Sequence, residues 1–533
     1  MTDDADARVA AIINGAGEFV AAAALGPEAK PKLHVRPADP DRTVADLCTV
    51  LASSGQIYDR GIPVRIVPNA VTGGVSADPL TPDGVVLFAH QLARPYTLKV
   101  REGVPPEQIN ARLPKSIAQL YLAARGEWRL LPLIGIASTP LLRSDGSIHS
   151  TPGYDALSGC WLERVPPLSR LIPARPSLAD AQRALEKLRS RFATFCFADS
   201  PMVRVPDFDS PLVDLEQSPG ADESAFLAST MTAVCRPSLG LAPGVLIRAA
   251  SMSGSGSGKG LLARCICQVA FGREPAAVTA GGKTQEMEAR LAAELMASGP
   301  VILLDNLNDR ALKSDLLASA LTERPARVRV LGKSEMVPMN ATALIMLTGN
   351  GLSMSEDLAR RFIAIDLDPK LEDPEARSFH GDIRKEVIEQ RAELLAAALI
   401  IWRWGRQCPD LARGQPLGSY DQWCEWVRDP LLTLGCRDPV IRTREAKQHD
   451  PRRQNVADLY RVWLERHQHR PVAASDVHED VRNAIDPQGR GRQFVAAKLK
   501  SLTGTRIAGH VLTFEKAGKW GQTTFALLPA QES

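Results

Sequence analysis

Between residues 222 and 372 the chain alternates two patterns of apolar and polar positions. Strand-like apolar runs at Val245–Ala250, Val301–Asp305 and Ala343–Thr348 are separated by segments such as Leu261 to Val269, where apolar residues recur at helical spacing. Runs that are apolar at nearly every position suit strands covered on both faces, so this rhythm predicts a parallel α/β sheet. Outside it the pattern changes. Residues 1–35 are Ala- and Gly-rich and read as a tail or linker. Residues 36–175 hold short strand-like segments, Val64-Arg65-Ile66-Val67 and Gly84-Val85-Val86-Leu87-Phe88, between Pro- and Gly-containing turns, and predict a mixed α/β domain. A helix is expected from Leu178 to about Phe197, with Leu185, Leu188 and Phe192 on one face. The Pro-rich stretch Pro201 to Pro219 follows, so 176–221 reads as a helical linker. Helical spacing returns in 373–450, notably from Asp382 to Trp404, with a break near Gln415-Pro416 and a Trp-rich segment at Trp423 and Trp426. Residues 451–533 read as helix, helix and a strand pair around Gly518-Lys519-Trp520-Gly521, the order of a winged helix.

Composition narrows the class. A chain of 533 residues exceeds one ordinary core and suggests about three or four domains. With 44% hydrophobic and 23% charged residues it fits a soluble globular protein, and the apolar stretch Leu394 to Trp404 is too short to span a bilayer. The acidic start Met-Thr-Asp-Asp-Ala-Asp lacks the basic and apolar regions of a secretory signal, which points to the cytoplasm. Nine cysteines without a C-x-x-C pair suggest reduced thiols rather than a zinc site or disulfide framework. A net charge of +3 is nearly neutral at this length, so nucleic-acid binding would have to come from local patches.

Candidate chemistry concentrates at strand ends. Ser253-Gly254-Ser255-Gly256-Ser257-Gly258-Lys259-Gly260-Leu261 follows one strand and opens a helix. Glycines let backbone N–H groups close around a phosphate, the helix N-terminus adds its positive end, and Lys259 neutralises phosphate oxygens. The loop departs from G-x-x-x-x-G-K-[ST] twice, with Ser253 at the first glycine and Gly260 where a hydroxyl residue usually ligates magnesium. Asp305, ending the strand Val301–Asp305, is the expected metal-side acid for ATP with Mg2+; water or Asp305 could replace the missing hydroxyl. Asn350, after the strand ending Thr348-Gly349, either senses the γ-phosphate or orients water, or is a left-handed turn residue.

This succession, with Asp357-Leu358-Ala359-Arg360-Arg361 after it, resembles AAA+ ATPases with a P-loop core at 222–372. More narrowly, Arg329-Val330-Leu331-Gly332-Lys333-Ser334 before Thr348-Gly349-Asn350 resembles replication helicases of prophages and integrative elements, akin to superfamily 3 and poxvirus-type helicase-primases. Asp145-Gly146-Ser147, Pro152-Gly153-Tyr154-Asp155, Leu417-Gly418-Ser419-Tyr420 and Asp438-Pro439 extend the resemblance over most of the chain. The resemblance implies a ring, a hexamer by expectation, in which Arg360 or Arg361 reaches the nucleotide of a neighbouring subunit. It also implies a pore hairpin whose Lys333 and Arg329 contact single-stranded DNA. Loops reading Gly-Ser-Gly-Lys-Gly are common in that narrower family. Asn306 stands where many AAA+ proteins place a glutamate; it either positions water, or Glu286 or Glu288 serves instead.

From Arg482 to Lys519 eight basic residues face two acidic ones, Asp486 and Glu515. A recognition helix over Gly491 to Leu502 would bring Arg492, Lys498 and Lys500 to the phosphates of duplex or fork DNA; the alternative is a winged helix used for protein contacts. The expected function is an ATP-dependent DNA helicase for replication of a mobile element. The rival is an initiator or loader that uses ATP as an assembly switch. The N-terminal half shows no cluster of carboxylates or cysteines for priming, so a primase would be a separate partner.

Overall fold

The computed structural model describes residues 30–69, 73–206, 210–249, 256–279, 284–308, 311–329, 336–371, 374–377, 381–443, 451–516 and 523–530. They form a mixed α/β protein that divides into two compact units, Met1–Val440 and Ile441–Ser533.

The first unit begins with β1 (Lys32–His34), α1 (Pro40–Ser53), β2 (Ile57–Asp59), β3 (Pro63–Asn69), β4 (Gly74–Pro79), α2 (Pro82–Leu92), β5 (Arg94–Arg101), β6 (Val104–Asn110) and α3 (Lys115–Ala123). One sheet runs β1-β5-β6, and another runs β4-β3-β2 and is extended by Leu131–Pro132. Gly84–Phe88, expected to be extended, lies inside α2 instead. Pro82 sets the first turn, the Thr81 hydroxyl accepts the Gly84 N–H, and Val85, Phe88, Ala89 and Leu92 are buried along one face. A short apolar run fits either period, and here the cap selects the helix.

Helix α4 (Leu178–Arg191) starts with a capping box in which Ser177 and Asp180 satisfy each other's backbone N–H groups. Segment 176–221 contributes Leu185, Leu188, Phe192 and Phe197 to the largest core, against α5 (Ala221–Cys235). The chain then passes through β7 (Gly244–Ala249), α6 (Lys259–Phe271), β8 (Ala277–Thr279), α7 (Thr284–Ala297), β9 (Val301–Asp305) and α8 (Asp315–Thr322). It continues through the antiparallel pair β10 (Ala326–Arg329) and β11 (Met336–Met339), then β12 (Leu344–Asn350) and β13 (Phe362–Asp366). Five of these strands form one parallel sheet in the order β8-β9-β12-β7-β13.

Alternation along the strands assigns the two faces of that sheet. Val245, Ile247, Leu303, Met346 and Ile365 share a core with Leu262 and Ile266 of α6 and with α4 and α5. Leu246, Ile302, Leu304, Ile345 and Leu347 share the other core with Leu291 of α7, Leu317 and Leu321 of α8, and Val328 and Val337 of the hairpin. The connection leaving β7 therefore covers one face, and those leaving β8 and β9 cover the other. Wholly buried Leu262 is one of the contacts fixing α6 to the sheet, and its truncation to Ala would cost about 2–5 kcal/mol.

The stretch from Asp382 to Trp404 is two helices, α9 (Ile383–Glu389) and α10 (Arg391–Gln407). The Asp382 carboxylate caps the first by accepting the Arg384 and Lys385 N–H groups, and Gln390 separates them. Trp423 is buried, its indole N–H donating to Thr232 of α5 at 2.8 Å.

The second unit comprises α11 (Pro451–His467), β14 (Val472–Ala473), α12 (Glu479–Ile485), α13 (Arg492–Leu502), β15 (Arg506–Ile507), β16 (His510–Lys516) and β17 (Thr523–Pro529). Its antiparallel sheet runs β14-β17-β16-β15 over a core of Trp463, Val481, Leu499, Phe525 and Leu527. The turn expected at Gly518–Gly521 lies outside the described residues. Among the described residues no helix is long and apolar enough to cross a membrane.

Candidate functional site

Ligands of open parallel sheets bind outside the carboxyl ends of the strands, where neighbouring connections depart to opposite faces. In this sheet that place is the end of β7 and β12. Register sets Ala249 beside Asn350, and the Gly351 N–H donates to the Ala249 carbonyl at 3.1 Å. Asp305 ends β9, the next strand, so Asp305, Asn350 and the loop to α6 meet on one edge although they lie far apart in sequence.

Ser253, Gly254 and Ser255 lie outside the described residues. Gly256 and Gly258 both adopt left-handed backbone, at φ of 86° and 89°, which L side chains rarely take. A Cβ on Gly256 would stand 2.9 Å from the Glu375 backbone nitrogen, and the Arg377 guanidinium donates to the Gly256 carbonyl at 2.9 Å. Gly258 caps α6, so the N–H groups of Lys259, Gly260 and Leu261 lie in its first turn, where they lack intrahelical partners. Ser257 and Lys259 are buried, and the lysine ammonium donates to the Ser257 hydroxyl at 2.8 Å. Burial pushes the Lys259 ammonium below the ordinary lysine range, while Asp305 and Cys196 pull it back. Among the described residues it makes no ion pair. A buried ammonium at a helix N-terminus, with no ion pair among the described residues, suits an anion.

The Asp305 carboxylate accepts from the Thr348 hydroxyl, and through Oδ1 from the Asn306 N–H at 3.1 Å. Its Oδ2 lies 3.8 Å from Arg264. Asn306 is exposed, with φ of 59°, a conformation asparagine tolerates better than most residues; this gives a backbone reason for asparagine at 306. Glu286 pairs with Arg290, and Glu288 accepts from the Ser314 hydroxyl. The Asn350 N–H donates to the Asn308 side chain at 2.8 Å. For magnesium the donor set is one half-buried carboxylate, Asp305, with no hydroxyl at 260, which fits an ion that keeps several waters and takes one or two carboxylates. Among the described residues there is no cluster of three or more His, Cys, Asp or Glu that could hold a metal by itself.

Beside Gly256, Ser257, Gly258 and Leu261 opens a cavity of about 690 Å³. Phe195, Leu212 and Ile383 give it apolar walls, and Arg191, Arg377 and Arg384 line it as well. That volume falls within the range of small-molecule sites. None of these residues stands out in the sequence: they come from the end of α4, the segment after it, position 377 and α9, and only the fold brings them together.

Arg360 and Arg361 follow the short helix Glu356–Ala359 and differ sharply. The Arg361 side chain is 14% exposed and donates to the Ala318 carbonyl at 2.6 Å, to the Thr322 hydroxyl and to Asp357. The Arg360 side chain is 65% exposed and pairs with Asp357 at the surface. Arg329 is exposed at the tip end of β10, opposite Met336 of β11, while residues 330–335, Lys333 included, lie outside the described residues. In the second unit Arg492, Lys498 and Lys500 are exposed on α13, whose apolar face buries Val495 and Leu499. Before it, buried Asp486 accepts the Gly491 N–H at 2.8 Å and pairs with Arg490, whose guanidinium lies 3.7 Å from the Phe494 ring centre. Of the N-terminal motif residues, Asp155 is held by Arg143 and Ser158, and Asp145 accepts the Ser147 N–H in a turn. These are structural roles.

No family model matches the chain, and no curated protein matches it. Among solved structures it is similar to the C-terminal region (305–718) of NrS-1 in its A-form apo structure, at 11% sequence identity, covering 90% of this chain and 98% of that one, with a TM-score of 0.36.

Proposed function

We propose that the first unit contains a P-loop ATPase core of AAA+ type over residues 222–372, that the second is a winged helix, and that the chain acts as a DNA helicase in replication. The observation that carries the nucleotide site is the Lys259 ammonium, buried at the N-terminus of α6 behind two left-handed glycines and close enough to Asp305 to feel its charge. In this reading the first-turn N–H groups of α6 and Lys259 bind the phosphates of ATP, and the 690 Å³ cavity takes the nucleoside. Asp305 holds Mg2+, which when bound neutralises charge building on the β- and γ-phosphate oxygens. Asn350 and Asn306 orient the attacking water. The water oxygen bonds to the γ-phosphorus as the bond to the β,γ-bridging oxygen breaks, giving ADP, inorganic phosphate and a proton.

Arg360 is the arginine available to a neighbouring copy, because Arg361 is committed within its own subunit. A site completed in this way requires a homo-oligomer, and a hexameric ring is the form proposed. Arg329 and Lys333 then face single-stranded DNA in the ring, and Arg492, Lys498 and Lys500 face duplex or fork phosphates. The rival is an ATP-switched initiator or loader. ATP hydrolysis and forked-duplex unwinding, measured for wild type and Lys259→Ala with and without single-stranded DNA, separate the two. DNA-stimulated hydrolysis with strand separation, both lost in the variant, supports the helicase; DNA-independent hydrolysis without strand separation supports the rival.

A further inference from the structure

Helix α6 places a second cation, Arg264, on the side of the site where residue 260 offers no hydroxyl. Its Nη1 donates to the Gly260 carbonyl at 3.2 Å, its Nη2 lies 3.8 Å from Asp305 Oδ2, and its Nε lies 3.5 Å from Glu274 Oε2. A Cβ at Gly260 would stand 3.1 Å from Arg264 Nη1 and 3.8 and 3.9 Å from the two Asp305 oxygens. The guanidinium therefore occupies the space into which a side chain at 260 would extend toward Asp305. Among the described residues it is the sole cation within ion-pair distance of Asp305. Glu274 is itself held from the other side, where Arg384 Nε donates to its Oε1 at 2.8 Å, and Arg384 lines the cavity. An alternating row, Arg384–Glu274–Arg264–Asp305, thus runs from the cavity wall to the acid at the strand end.

We infer that Arg264 is a positioning residue shared between two carboxylates, and that its division between them sets how strongly the nucleotide site holds Mg2+. This rests on the nucleotide reading above. A guanidinium and a divalent ion compete for Asp305 Oδ2 and repel one another at such distances, and both side chains are partly buried, so solvent screens them incompletely. Drawn toward Glu274, Arg264 leaves Asp305 to the metal; released from Glu274, it turns to Asp305 and opposes the metal. Arg384 holds Glu274 in place, which ties the balance to the wall of the cavity.

The experiment titrates Mg2+ into the full chain with a fluorescent ATP analogue and reads nucleotide binding, with a parallel measurement in a metal chelator. Arg264→Gln lowers the Mg2+ needed for half-saturation by about tenfold, with metal-free binding held within about threefold. Glu274→Gln raises that requirement several-fold, and Arg264→Lys keeps it near wild type. Opposite shifts from neutralising two partners of one ion pair do not arise from general loss of folding, which weakens binding in both. Shifts in the same direction, or no shift in either variant while wild-type binding depends on Mg2+, overturn this inference alone. A wild type that binds no nucleotide, or whose Lys259→Ala variant binds it equally well, overturns the nucleotide reading and this inference with it.

Discussion

Substituting each of the two left-handed glycines of the loop separates the consequences of backbone strain from those of space. Gly256 and Gly258 have nearly the same φ, 86° and 89°, so an L side chain at either is strained by about 1–2 kcal/mol. Their surroundings differ. The Cβ of Gly258→Ala meets the Phe195 ring at 3.5 Å, an ordinary contact, whereas that of Gly256→Ala meets the Glu375 backbone nitrogen at 2.9 Å and Cα at 3.0 Å. Backbone cannot rotate aside as a side-chain end does. On the nucleotide reading proposed above, the free loop relieves the strain by moving and must give that relief up to close on phosphate, so the cost appears in binding. Gly258→Ala should weaken a fluorescent ATP analogue by about 5- to 30-fold, the equivalent of the strain alone. Gly256→Ala should weaken it further and also loosen the carbonyl held by Arg377. Both variants should melt within a few degrees of wild type, because neither glycine lies in a core cluster. If Gly256→Ala bound as tightly as wild type, or lost less than Gly258→Ala, the loop would not close on the ligand in this conformation.

Arg361→Ala should destabilise the first unit by about 1–3 kcal/mol in denaturant melts, because it leaves the Ala318 carbonyl and Thr322 hydroxyl without their charged donor. Arg360→Ala should leave the melt within about 0.5 kcal/mol while lowering hydrolysis by the assembled protein, and the converse pattern would exchange their roles. For the second unit, Arg492→Ala should reduce the slope of log affinity against log salt for duplex DNA by about one, since each phosphate neutralised contributes nearly one counterion; an unchanged slope removes Arg492 from the interface. His467 is held below its ordinary 6.5 by burial and by neighbouring His478, and its Nε2 accepts the His478 N–H at 3.0 Å. The unfolded chain therefore takes the proton first as pH falls, so this contribution is complete above 6.5 and declines below it through the folded value. Hydrogen exchange across residues 455–516 of the full chain should quicken from pH 7.5 to 5.5 after correction for intrinsic rates, and His467→Gln should remove that difference.

Three of the five strands of the parallel sheet, β7, β9 and β12, were legible because strands buried on both faces leave little room for polar residues: Val301–Asp305 has the bounds read from its pattern, whereas β8 and β13 were not read from the sequence. The loop and the acid were legible for a related reason, since glycine at a forced left-handed position and a carboxylate closing an apolar run are both locally conspicuous. Gly84–Phe88 was misread because an apolar run that short carries no period, and the decisive groups, Thr81 and Pro82, lie before it. The cavity was invisible for a different reason. Phe195, Leu212 and Ile383 are ordinary apolar residues, and nothing local distinguishes an apolar side chain lining a cavity from one filling a core. The difference between Arg360 and Arg361 was hidden too, because it depends on Ala318 and Thr322 of α8, which only packing on the second face of the sheet brings within reach.

The same logic explains why the departure at Gly260 is not an isolated defect. A hydroxyl residue there would direct an oxygen toward Asp305 through the volume that Arg264 now fills, 3.1 Å from the position of the missing Cβ. Glycine at 260 and arginine at 264 are thus physically coupled: the small residue admits the large cation, and the cation approaches the carboxylate that a neighbouring hydroxyl would otherwise have served. One helical turn separates them, the spacing at which α6 sets side chains on a common face. Glu274, beyond the end of the same helix, then offers the guanidinium a second anion and keeps it from neutralising Asp305 outright. The Gly260 departure is therefore coupled in space to Arg264 and Glu274, as one arrangement of a small residue, a guanidinium and two carboxylates at the end of β9.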